Sequence, residues 1–191
     1  MKTIALFILA IMLAMPAKAD VAVGAEQTKQ YLPLLKGKRV ALLSNHTGIV
    51  VLGDEAKGRK GEKATRQKGD TIHTLDLLLE HGVNVTAIFS PEHGFRGTAR
   101  EGELVASSVD EKTGIPILSL YDGKSKRPSN QEMEPFDILI TDIQDVGLRF
   151  YTYYVTMLRL MDVCAQEGKQ FMVFDRPNPN GFYVDGPILD M

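Results

Sequence analysis

The apolar residues of this chain fall into five short runs. They are 38–44 (Lys-Arg-Val-Ala-Leu-Leu-Ser), 83–90, 115–121, 136–143 and 170–174, and each gives way at once to a polar loop. Between them lie stretches with helical spacing. Ile72, Leu75, Leu78 and Leu79 mark a helix over 72–81 that Asp70 or Thr71 is placed to cap and Gly82 to end. Tyr154, Leu158, Met161 and Ala165 mark a longer helix over 151–167, ended by Gly168. Strands that are apolar throughout, rather than alternating, are buried on both faces, and strands alternating with helices build parallel sheets. The expected fold is therefore α/β, a Rossmann-like, doubly wound and mostly parallel sheet. No Gly-x-Gly-x-x-Gly follows any strand and no Walker-type loop is present, so neither a dinucleotide nor a nucleotide-phosphate site is expected.

The ends and the linkers are of a different kind. Lys2, an apolar run over 3–15 and Ala17-Lys18-Ala19 read as a signal peptide over 1–19 that directs export to the periplasm or the medium. One domain over 20–191 is then expected. It carries 20 basic and 24 acidic residues, a net charge of −4, which disfavours general nucleic-acid binding. No Cys stands at the cleavage point, so no lipid anchor is indicated. Cys164 is the single cysteine and lies in an apolar helical pattern, so a buried structural thiol is expected and a disulfide framework is excluded. Residues 53–70 are basic and glycine-rich and read as a solvated loop. Val21 to Leu35 reads as an amphipathic lead-in, 100–114 as a polar loop with a short helix, and 183–191 as a last short apolar element.

In a parallel sheet the loops after the strands share one edge, the edge where open α/β sheets bind ligands. The first run ends in Asn45-His46 and the second in Ser-Pro-Glu-His-Gly-Phe-Arg-Gly, which brings Glu92, His93 and Arg96. The third ends in Tyr121-Asp122. The fourth ends in Asp142, Gln144, Asp145 and Arg149, with Tyr151 just beyond, and the fifth in Asp175-Arg176. Three kinds of chemistry suit such an edge. Glu92, with His93 and the arginines around it, suits a general acid in hydrolysis. Glu92, Asp142, Asp145 and Asp175 suit a hard cation serving phosphoryl or amide hydrolysis. A binding cleft without chemistry suits the same residues. Ser90 lacks the Gly-x-Ser-x-Gly elbow of a nucleophile.

Five segments carry a resemblance: Ser-Asn-His-Thr-Gly at 44–48, Phe-Ser-Pro-Glu-His-Gly-Phe-Arg-Gly at 89–97, Thr-Gly-Ile-Pro-Ile-Leu-Ser-Leu-Tyr at 113–121, Asp-Ile-Gln-Asp-Val-Gly-Leu-Arg-Phe-Tyr-Thr-Tyr at 142–153 and Asp-Arg-Pro-Asn-Pro at 175–179. Together they resemble the exo-β-N-acetylmuramidases of the NamZ type, glycoside hydrolase family 171. The resemblance implies a Rossmann-like N-terminal domain holding the active site, with a second domain following it in the family. It implies release of N-acetylmuramic acid from the non-reducing end of peptidoglycan fragments, in cell-wall turnover, with a muropeptide sugar as partner and no cofactor or metal. It places Glu92 as catalytic acid, with His93 and Asp145 at other motif positions, and Asp145 or Asp142 is the candidate second carboxylate. Asn45, Arg96, Gln144, Arg149, Tyr151, Asp175 and Arg176 become candidate substrate contacts. Muramic acid bears a lactyl carboxylate, which arginines bind by paired hydrogen bonds.

Overall fold

The computed structural model describes residues 21–52, 69–96, 106–121, 123 and 127–187. The expected signal peptide over 1–19, most of the basic segment after Leu52, Asp122 and the last residues of the 183–191 element lie outside them.

Six strands form one sheet. β1 (Arg39–Ser44), β4 (Asn84–Ser90), β6 (Pro116–Ser119), β7 (Ile138–Asp142) and β8 (Gln170–Val173) run parallel, in the order β6-β4-β1-β7-β8. β5 (Ser108–Val109) closes the outer edge of β6 antiparallel. The apolar runs account for the parallel strands, because alternate residues of one strand feed opposite faces. Val40 and Leu42 join the cluster of Leu75, Leu78 and Ile88, while Ala41 and Leu43 join that of Phe89, Phe136 and Leu160. Burial on both faces needs cover on both. α1 (Thr28–Leu35) and α2 (Thr74–Glu80) lie over the first cluster, through Tyr31, Leu35, Leu75 and Leu78. α3 (Asn130–Met133) and α4 (Tyr153–Gln166) lie over the second, through Met133, Leu160, Val163 and Cys164. The sheet is thus doubly wound. The chain moves outward from β1 through β4 to β6, then returns to the other side of β1 for β7 and β8. The reversal falls between β1 and β7.

Several local expectations change. Ile72 and His73 are not the start of a helix. They belong to β3 (Thr71–His73), which pairs antiparallel with β2 (Ile49–Val51) in a separate ribbon. His73, not Asp70 or Thr71, then caps α2, its Nδ1 accepting the Leu75 N–H at 3.1 Å. Tyr151 precedes the long helix instead of opening it. Of the two apolar stripes on that helix, Tyr153, Leu160, Val163 and Cys164 are buried, whereas Tyr154, Leu158 and Met161 are exposed. Residues 182–187 are exposed coil, and the 106–114 part of the polar segment supplies edge strand β5 with no helix.

The candidate active site at the sheet's carboxyl edge

The turn after β4 is the most constrained stretch of this edge. Gly94 N–H donates to the Pro91 carbonyl at 3.1 Å, which places Glu92 and His93 at the tip of a tight turn. His93 has φ of 70°, the one positive value among the described non-glycine residues. An L-residue there costs roughly 1–2 kcal/mol, and such strain persists only where the surroundings hold it. Pro91 ends the strand and is buried, and Glu92 is half-exposed at the rim. Phe95 anchors the far side of the turn in the core, edge-on to His73 at 5.0 Å between ring centres.

The loops after β1 and β7 flank the point where strand order reverses, and they are tied together. Ser44 Oγ donates to the Asp142 carbonyl at 2.8 Å. Asn45 is fully buried, and its Oδ1 accepts from Thr47 N–H at 2.9 Å and Thr47 Oγ1 at 2.6 Å. Thr47 Oγ1 in turn accepts Gln144 N–H at 3.0 Å. Gln144 Nε2 donates to the carbonyls of Asp145 at 2.7 Å and Pro177 at 2.9 Å, linking the β7 and β8 loops. Gly147, at φ 71°, turns back so that its N–H meets Asp145 Oδ1 at 2.7 Å, and a Cβ there would run into Asn178. Two buried polar atoms have no hydrogen-bond partner among the described residues, Asn45 Nδ2 and Asp145 Oδ2. Both belong to these loops. Buried polar groups are otherwise satisfied, so a pair of open ones marks a place where a polar ligand fits.

Tyr153 joins the two halves of the site. Its ring packs edge-on against Tyr151, 4.9 Å between centres, and its side chain is almost wholly buried. Burial raises its phenol pKa, the nearby Tyr151 and Glu92 raise it further, and the Asn45 amide, close to the phenol but outside hydrogen-bond geometry, opposes them. Tyr153 is therefore within reach of Asn45, Tyr151 and Glu92, although 108 residues separate it from Asn45. A cleft of about 100 Å³ opens beside Glu92, between Leu120 and Tyr121 at the end of β6 and the first two turns of α4.

The arginines divide differently from expectation. Arg176 is buried and makes a paired contact with the fully buried Asp142: Nε to Oδ1 at 2.5 Å and Nη2 to Oδ2 at 3.0 Å. Its Nη1 reaches the Ile49 carbonyl at 3.1 Å, and Thr74 Oγ1 also donates to Asp142. Arg176 thus clamps the β2 and β7 loops rather than facing a ligand. Both Asp142 oxygens are taken, which removes a central ligand from the cation reading. Among the described residues, no three His, Cys, Asp or Glu side chains gather as a metal cage. Arg96 is held by Asp110, Nη2 to Oδ1 at 2.6 Å, with its guanidinium 4.7 Å from the Phe95 ring centre. Burial works against charge on Asp110, but the Thr113 hydroxyl and Arg96 outweigh it and keep its carboxyl below the usual range. Arg149 donates to the Pro187 carbonyl at 2.7 Å. Asp175 is exposed, and its carbonyl accepts Gly24 N–H at 2.7 Å. Tyr153 and Thr47 were not singled out by the sequence. An aromatic on a helix reads as core and a threonine in a loop as filler until the loops are brought together.

These features define a Rossmann-like α/β protein with a glutamate-bearing turn and a polar cleft at the carboxyl edge of its sheet. Within that class the chain belongs to the NamZ family: the family model described as "Exo-beta-N-acetylmuramidase NamZ, N-terminal" matches residues 40–191. Peptidoglycan beta-N-acetylmuramidase NamZ of Bacillus subtilis (strain 168) is 44% identical over 162 residues, covering 84% of this chain and 34% of that protein. A DUF1343 family protein of Bacteroides fragilis NCTC 9343 (BF0379) is similar in structure, with a TM-score of 0.68 and 55% identity over 90% of this chain and 39% of its own. A second from the same strain (BF0371) has a TM-score of 0.68 and 36% identity, covering 88% of this chain and 38% of its own. The chain spans about a third of the length of the curated relative and about two-fifths of the solved ones.

Proposed function

We propose that this chain carries the catalytic acid of a peptidoglycan β-N-acetylmuramidase that acts from the non-reducing end and releases N-acetylmuramic acid. The observation that supports it most is the placement of Glu92. A strained turn holds it at the rim of a cleft, within electrostatic reach of Tyr153, in a chain 44% identical to a protein named peptidoglycan beta-N-acetylmuramidase. In the proposed reaction Glu92 gives its proton to the glycosidic oxygen as the bond from that oxygen to the muramic acid C1 breaks, and water supplies the new hydroxyl at C1. The buried, unpartnered Oδ2 of Asp145 makes it the candidate second carboxylate, either activating that water or meeting C1 directly. Asn45 Nδ2, also unpartnered, is suited to a sugar oxygen or acetamido carbonyl. His93 fixes the turn by its backbone, and Tyr151 offers its ring to a sugar face. Export through residues 1–19 and a part in cell-wall turnover complete the proposal.

The test is hydrolysis of a MurNAc-GlcNAc disaccharide by the protein and by Glu92→Gln. The substitution keeps shape and hydrogen bonding but removes the transferable proton. Turnover is expected to fall by roughly 10²–10⁴-fold with EDTA having no effect. Undiminished activity in Glu92→Gln overturns the assignment. Loss with EDTA and rescue by a divalent ion would instead favour metal-assisted hydrolysis.

A further inference from the structure

Four arginines lie near the sheet's carboxyl edge in sequence, and three are engaged: Arg176 by Asp142, Arg96 by Asp110 and Arg149 by the Pro187 carbonyl. The fourth, Arg159, is on α4 and drew no attention in the sequence. It lines the cleft beside Glu92 and makes no hydrogen bond or ion pair with any described residue.

Its position on the helix is the second observation. Thr152, Val155, Thr156 and Arg159 follow one another at three- and four-residue spacing, so they form one stripe, and all four line the cleft. One turn further along the same stripe, Val163 is buried in the core under the sheet. Val155 and Thr156 are half-buried and Thr152 and Arg159 are exposed, so the stripe puts two hydroxyls and a guanidinium along the open cleft before it turns under the sheet at Val163. The Arg159 guanidinium stands at the open side of the cleft that Glu92 also lines, where it is placed to meet a charged part of an entering ligand. A cleft of about 100 Å³ holds a carboxylate and ordered water, and a guanidinium binds a carboxylate by two parallel hydrogen bonds.

We infer that Arg159 is a specificity-determining residue that takes the carboxylate of an acidic sugar in the cleft beside Glu92, with the Thr152 and Thr156 hydroxyls completing the seat. The inference rests on the hydrolase reading above, in which the lactyl group of muramic acid supplies that carboxylate. It moves the acid-binding role from the strand-end arginines to the helix. It also explains how a site whose strand-end guanidiniums are engaged elsewhere distinguishes muramic acid from N-acetylglucosamine, which lacks the lactyl group.

The test crosses the residue with the substrate. MurNAc-GlcNAc and the same disaccharide with its lactyl acid converted to the neutral amide are given to the wild type, Arg159→Ala and Arg159→Lys. In the wild type the amide is expected to lower kcat/KM by about 10- to 100-fold, the range for a hydrogen-bonded charge pair. Arg159→Ala is expected to lose a similar factor on the acid, chiefly through KM, and almost nothing more on the amide, so the two penalties do not add. Arg159→Lys, which keeps charge but not the fork, falls between. Equal losses on both substrates, or none, overturn the inference while leaving the hydrolase reading intact. Should the wild type turn over neither substrate, calorimetry with free MurNAc and GlcNAc separates the two ideas. A preference for MurNAc that Arg159→Ala abolishes retains the acid seat and rejects the hydrolase reading, and no preference rejects both. Thermal melts of each variant against wild type guard against a folding defect.

Discussion

Arg176→Ala offers the sharpest test of how the site is built. Sequence alone left Arg176 a candidate substrate contact, but the structure commits it to Asp142. Asp142 is 0% exposed and the Arg176 side chain 6%, and the guanidinium meets both carboxylate oxygens. Removing it leaves a carboxylate with the Thr74 hydroxyl but no counter-charge, in a place water does not reach. Breaking one side of a buried pair costs about 3–5 kcal/mol, because the stranded charge loses its partner without regaining hydration. For a chain of 191 residues each kcal/mol shifts Tm by about 2–4 °C, so a fall of roughly 6–20 °C is expected. Urea unfolding followed by circular dichroism measures the loss directly, as a lower midpoint at unchanged slope. The loss should change little between low and high salt, because the pair is shielded from ions. The exposed pair of Arg39 and Asp137, its side chains 46% and 43% exposed, provides the contrast: Asp137→Asn should cost little and become neutral in high salt. An Arg176→Ala protein that melts with the wild type and suffers only a raised KM would refute the reasoning and return Arg176 to the substrate.

Two further predictions concern histidines. His93→Gly is expected to be more stable than His93→Ala by roughly 1 kcal/mol, the reverse of the usual order, because glycine adopts positive φ without strain; equal midpoints in urea would show the turn stores none. His73 is held below its ordinary pKa, first by burial, with the hydrogen bond to the Asn45 carbonyl at 2.8 Å opposing that shift. The unfolded chain takes up a proton near pH 6.5, where the folded ring stays neutral, so stability is full above about pH 6.5 and declines as pH falls toward the folded value. His73→Asn keeps an acceptor for the Leu75 N–H and should flatten that slope between pH 7 and 5, and an unchanged slope would assign the titration elsewhere.

The parallel sheet was legible because burial on both faces leaves a strand no polar positions, as in Val40 to Leu43 and Ile138 to Ile140. The β2–β3 ribbon was not legible. Ile72 satisfies a helical period with Leu75 and a strand period with its neighbours equally well. Its partner Val50 lies across a long charged segment, so only the pairing itself decides. The buried face of α4 was hidden for a related reason. Tyr154, Leu158 and Met161 match Tyr153, Leu160 and Val163 in apolarity, and periodicity does not say which stripe meets the sheet.

At the site the residue types were legible and their duties were not. Every strand end offered acids, amides and guanidiniums, and a parallel sheet had to bring them to one edge. What separates a structural ion from a ligand-binding one is desolvation. Asp142 and Arg176 are both buried, so neither is stable without the other, and they had to pair wherever the loops allowed. Arg96 is likewise claimed by a buried carboxylate, that of Asp110. Among the described residues, two buried polar atoms remain open, Asn45 Nδ2 and Asp145 Oδ2, and the exposed Arg159 guanidinium lines the cleft without a partner. They come from three separated elements, and no local motif joins them. A donor and an acceptor left open in the edge loops, and a cation lining the cleft with Glu92, are groups that folding does not require, and that is the physical reason to seek the substrate at this edge.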